Sequence, residues 1–141
     1  MTNAKSKGIG IDAVGTPVDF GRVTLYHPTT DEPLVDGQGN VMWVEVYGQD
    51  SKHYKQVQHN QTNRRLQKAQ RSGGRASVTA EQQEAMAHDL LAKCTKDWHI
   101  ILDDQAPECT EEQVREIYQN YPWVRDQVDA FMHDRKAFLK T

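Results

Sequence analysis

Apolar positions recur at steps of four, three and seven through the C-terminal end of the chain. Val124, Val128, Phe131 and Phe138 lie on one helical stripe, and Trp123 and Leu139 widen it at its ends. Pro122 suits a first helical turn, where its missing N–H costs nothing. The pattern predicts a helix over 122–139. It carries the largest apolar surface of any predicted helix, so the other elements are expected to pack on it. Trp123 and Phe131 are read as core, because large apolar residues on a stripe are buried as a rule. Phe138 and Leu139, at the terminus, face either the core or a partner.

The period changes to two between residues 16 and 48. Phe20, Val23 and Leu25 lead into the turn-rich cluster from Tyr26 to Pro33. Leu34-Val35 and a second turn signal, Asp36-Gly37-Gln38-Gly39-Asn40, precede Val41-Met42-Trp43-Val44-Glu45-Val46-Tyr47. Met42, Val44 and Val46 share the parity expected to face the core. Two or three strands do not stand alone in water, so helices or another subunit must cover one face.

Gly48-Gln49-Asp50-Ser51 ends the strand, and Asp50 or Ser51 can cap a helix over 51–71. That helix is polar and basic, with Tyr54, Val57, Leu66 and Ala69 as its apolar anchors, and it is expected to bridge, project or pair. Capping boxes at Thr79–Gln82 and Thr110–Gln113 predict helices near 80–94 and 111–120. The run from Asp97 to Asp104 is too short to assign and stays open between strand, loop and helical turn. Strands that precede helices indicate an α+β fold: a small N-terminal antiparallel β-layer and a mostly helical C-terminal half. The expected organisation is a flexible arm at 1–15, the β-layer at 16–48, the basic helix at 49–71, a linker at 72–78 and a helical domain at 79–141.

Composition adds two constraints. A mean hydropathy of −0.81 with 37% hydrophobic residues is low for 141 residues, so part of the chain is expected to be extended or partner-dependent. No apolar run reaches membrane-spanning length and no hydrophobic signal region opens the chain, which points to a cytoplasmic protein without membrane contact. Cys94 and Cys109 form no CxxC pair and are expected as reduced, structural thiols.

The net charge of −3 conceals a segregation. Residues 51–80 hold seven cations and no acid, whereas residues 81–141 hold thirteen acids and seven cations. Such a layout favours self-association or a charged partner. The basic stretch 52–75 could hold nucleic acid, but its cations are interleaved with Gln, Asn, Ser and Gly rather than with stacking aromatics, so that partner is the weaker reading.

Catalytic chemistry needs convergent groups, and none stands at usable spacing. HExxH and nucleophile motifs are absent. Cys94-x4-His99 with Cys109 lacks a fourth zinc ligand. Gly8-x-Gly10 lacks the strand, helix and GK[ST] of a phosphate loop. The expectation is no enzyme, no cofactor and no metal.

Three stretches resemble the tail assembly chaperones of long-tailed double-stranded DNA bacteriophages. They are Leu25-Tyr26-His27-Pro28-Thr29-Thr30-Asp31-Glu32-Pro33-Leu34; Trp43 to Tyr54 running into Asn63-Arg64-Arg65; and Cys94-Thr95-Lys96-Asp97-Trp98 with Pro107 to Thr110, Tyr121 to Phe131 and Arg135 to Leu139. In order and spacing they cover most of residues 20–139. Asp103-Asp104-Gln105 departs from the pattern in lacking a glycine in that turn. The resemblance implies a non-enzymatic chaperone that binds the tape measure protein, keeps it soluble and helps recruit tail tube subunits. It further implies action in the host bacterial cytoplasm and absence from the mature virion. A homo-oligomer is expected beside these partners. Tyr54, Val57, Arg64, Arg65, Leu66, Phe138 and Leu139 are the expected contact residues. A nucleic-acid-binding module and a minor structural tail or connector protein are the alternatives.

Overall fold

The computed structural model describes residues 8–73 and 78–140. Residues 1–7 of the expected arm and 74–77 of the expected linker lie outside that range. The chain runs α1 (Ile11–Val14), β1 (Thr16–Pro17), β2 (Phe20–Thr24), β3 (Trp43–Tyr47), α2 (Lys52–Arg71), α3 (Ala80–Cys94), β4 (Thr95–His99), α4 (Glu111–Asn120), α5 (Pro122–Met132), a 3-10 turn (Arg135–Phe138) and β5 (Leu139–Lys140). The fold is α+β, as the order of periodicities indicates.

The sheet is antiparallel with order β2-β3-β4, and β1 pairs separately with β5. Val44 and Val46 point inward and are fully buried, and Met42 packs beside them. Val128 and Met132 of α5 are buried in the same core, with Leu25, Leu91, Val114, Ile117 and Tyr118. The three-stranded sheet therefore hides one face under the helices, which supplies the cover that short strands require.

Two features differ from the sequence reading. The first is β4, which comes from the segment read as part of a helical domain, so the sheet draws on both halves of the chain. Trp98 turns inward beside Val44, and its indole N–H donates to the Pro107 carbonyl at 2.9 Å. The second is the last helix, which ends at Met132 rather than at 139. Asp134 adopts an extended conformation and accepts a hydrogen bond from the Lys136 N–H, opening the 3-10 turn. That turn throws Phe138 back into the core. The stripe of α5 is Val124, Val128 and Met132, while Trp123 and Phe131 are only partly buried.

The long connection from β2 to β3 is held by its own turns. The Asp36 carboxylate accepts from the Gln38 and Asn40 backbone N–H groups, each at 2.9 Å, and meets His99 Nε2 of β4 at 2.8 Å. The His99 bond, reinforced by Asn40 and Gln38 against a smaller cost of burial, lowers the Asp36 pKa to about 2. A carboxyl held below its ordinary value stabilises the fold above that value and loses the contribution as it protonates. Wild type is therefore expected to outlast Asp36→Asn in urea by a constant margin near neutrality. The margin should close as pH falls from about 3.8 to about 2. An equal midpoint for the two proteins at neutral pH would show that the Asp36–His99 contact contributes nothing.

Candidate interaction surface on the α2–α3 hairpin

Ser51 starts α2. Its hydroxyl accepts from the Tyr54 N–H at 3.1 Å and donates to the Gly48 carbonyl at 2.7 Å. Tyr54, Val57 and Gln61 follow at steps of three and four, so they share one face, and all three are buried. The Gln61 side-chain amide donates to the Met86 carbonyl at 2.8 Å and to Asp89 at 2.9 Å. Beyond Gln61 the same face continues as Arg64, Arg65 and Lys68, where no apolar group is available to dock. The helix accordingly leaves the domain. Residues 63–68 and 70–73 are exposed, and so are residues 79–85 at the start of α3. The outer part of this helical hairpin stands in solvent.

Asp89 closes the docked part of the hairpin. It receives Gln61 from α2, Arg115 from α4, Lys93 at 3.5 Å and Arg64 at 3.7 Å. Burial works against its charge, but the bonds from Gln61 and Arg115 outweigh it, and its carboxyl sits below the ordinary value. Arg64 is thus partly engaged. Arg65, Lys68 and Arg71 make no ion pair among the described residues. Leu66 remains 50% exposed among them.

The expected contact residues separate into two groups. Arg64, Arg65 and Leu66 lie together on the exposed part of α2. Tyr54, Val57 and Phe138 do not belong with them, since all three are core residues. Leu139 is 38% exposed, but it lies in β5, which pairs with Thr16–Pro17, and not on α2. Lys68 and Arg71 complete the basic surface. Their signal was the absence of any acid from residues 51–80; the expected contacts took Arg64 and Arg65 from that stretch but not these two.

A shallow groove of about 320 Å³ lies between α2, the end of α3 and the start of α4, lined by His53, Val57, Lys93, Cys109 and Val114 among others. Burial, with a further push from Asp97, raises the Cys109 thiol to about 11, and burial alone raises Cys94 to about 12. Both are protonated at neutral pH, a state of low nucleophilicity. The outer sheet face is already paired within itself. Arg22 lies over the Trp43 ring at 3.7 Å, Lys96 over Phe20 at 4.4 Å, and Glu45 bridges both cations. No helix among the described residues is long and apolar enough to cross a membrane. The chain matches no protein-family model, no curated protein and no solved structure.

Proposed function

We propose that this chain is a non-enzymatic tail assembly chaperone of a long-tailed bacteriophage, which binds the tape measure protein, keeps it soluble and helps recruit tail tube subunits. The observation that carries the reading is the uncovered outer half of α2, which carries four cations and no acid between residues 62 and 73, with a half-exposed Leu66 on the side of the helix away from Arg64 and Lys68. A bare basic helix face fits the acidic polar face of an amphipathic helix, and Leu66 offers a separate apolar contact on the other side. A single apolar anchor and exposed charges give modest contacts, as a chaperone that must release its client requires. The resemblance of residues 20–139 to that chaperone family names the client.

The test is co-expression with the tape measure protein of the same phage. The chain is expected to copurify with it and raise its soluble fraction, and Leu66→Ser with Arg65→Glu is expected to reduce both without altering the circular dichroism. Failure of the unaltered chain to bind or solubilise the tape measure protein would overturn the assignment. Purified virions should lack the chain by mass spectrometry, and its presence there at stoichiometric levels would favour a structural tail protein. Filter binding at low salt covers the third reading: tight retention of DNA with a steep salt dependence would identify the basic surface as a nucleic-acid site.

A further inference from the structure

We propose that the groove between α3 and the α4–α5 corner is a docking site for an amphipathic helix that carries cations along one flank and carboxylates along the other. This partner differs from the acid-faced helix that the basic surface of α2 fits. The inference therefore goes beyond the chaperone reading and does not rest on it.

The groove holds about 530 Å³. Its α3 wall comes from positions 81, 84, 85, 88 and 92, which recur at helical steps and share one face. From Glu81 to Ala92 that face runs roughly 16 Å, the length of about three turns of a docked helix. Ala92 and the Tyr118 ring close the floor, and Ala85 is open to solvent. Side chains as short as these alanines let a second helix axis approach to about 8–10 Å. Asp89, which meets Gln61 and Arg64 of α2, lies about a quarter of a turn round α3 from this face. The groove thus adjoins α2 without drawing on it.

The two walls differ in charge. Glu81 and Glu84 stand on the α3 side, and Arg115 and Arg125 on the other. Glu81 makes no ion pair among the described residues, and Glu84 meets only His88, at 3.9 Å. The arginines are held in place but keep donors to spare. Arg115 bonds Asp89 and Glu111 through Nη2, and Arg125 bonds Asp126 through Nε and Nη2. A guanidinium has more N–H groups than these bonds use, so each can still donate to an incoming carboxylate. A helix with lysines toward Glu81 and Glu84, and carboxylates toward Arg115 and Arg125, satisfies both walls. The same helix turned end for end presents each flank to like charge, which opposes binding. The signs therefore select a direction as well as a partner. All four groups reach solvent, so the pairs contribute modestly and weaken with salt.

Fluorescence anisotropy of the full chain with a labelled helical peptide is the test. The probe has about 18 residues, with an alanine and leucine stripe, lysines on one flank and as many glutamates on the other. It should bind the wild-type chain, and the same residues in scrambled order should bind at least about tenfold more weakly. Glu84→Lys reverses part of one wall, and Ala85→Trp fills the groove. Both positions are exposed, so circular dichroism should be unchanged, and each variant should bind the probe about tenfold more weakly. Arg65→Glu/Lys68→Glu on α2 should keep the wild-type affinity within about twofold, because the probe is neutral overall. Hydrogen exchange of the wild-type chain gives a second readout: the bound probe should slow amide exchange in residues 81–92 and 115–125 and leave 65–71 unchanged. Absence of binding, equal binding of the scrambled peptide, or protection confined to 65–71 would overturn the proposal. So would a wild-type sedimentation coefficient that rises with concentration and returns to the monomer value in Ala85→Trp, since a second copy would then fill the groove. The tape measure protein takes no part in these measurements, so their failure leaves the chaperone reading standing.

Discussion

Phe138→Ala is expected to destabilise the protein by about 3–5 kcal/mol, the usual cost of removing a buried phenylalanine. Only 3% of the residue is exposed. Its ring lies 5.0 Å from that of Phe131, centroid to centroid, and it fills the space left by two glycines. A Cβ on Gly48 would stand 2.8 Å from the Phe138 ring, and one on Gly21 would stand 3.2 Å from it. Glycine at these positions lets the ring reach the backbone of β2 and the end of β3. Removal of the ring would open a cavity against the backbone at Gly21 and Gly48, and the cost rises with the volume that the surroundings fail to refill. The same residue leads into the C-terminal strand: the Val18 N–H donates to the Phe138 backbone carbonyl at 2.7 Å beside the Thr16–Lys140 pair. Urea unfolding with a full baseline is the measurement. A loss below about 1 kcal/mol would place Phe138 at the surface, as a partner contact rather than a core residue.

This residue also shows where the sequence stops being legible. The starts of α3 and α4 could be read to the residue, because Thr79 and Thr110 each accept from the N–H three positions on, a local bond with a local signal. The end of α5 could not. Phe138 follows Phe131 by two helical turns, so the stripe continues on paper through a segment in which the backbone has left the helix at His133. The break is made by Asp134, whose short acceptor side chain caps a new turn, and by the space beside Gly48, which belongs to a distant part of the chain. The interaction surface was half legible. Composition revealed a basic, polar helix, but the point where it leaves the domain depends on Gln61 finding Met86 and Asp89 on α3, a tertiary contact with no periodicity of its own. Tyr54 and Val57 looked like free anchors on a polar helix because the core they enter is built from β3, α3 and α5.

Trp98→Ala is expected to cost about 3–5 kcal/mol, and more than Trp123→Ala, although the apolar stripe alone ranks Trp123 first. Trp98 is 6% exposed, pairs opposite Val44 in the sheet and donates its indole N–H to the Pro107 carbonyl. Its loss removes a large ring from between the sheet and the helices. It also leaves a carbonyl without its donor and loosens the connection that leads from β4 to α4. Trp123 sits at the start of α5, only partly buried, with its ring edge-on to Tyr121 at 6.4 Å. Part of its surface already meets water in the native state, so truncation forfeits less transfer free energy and leaves no enclosed void. Trp98→Phe separates the two contributions. It keeps most of the ring volume and removes the donor, so a loss of about 1–3 kcal/mol is expected from the unpaired Pro107 carbonyl and the smaller ring. The order expected in urea is therefore wild type, then Trp98→Phe, with Trp98→Ala last and Trp123→Ala less damaging than Trp98→Ala. Trp123→Ala falling below Trp98→Ala would mean that α5, rather than β4, fixes the helices on the sheet.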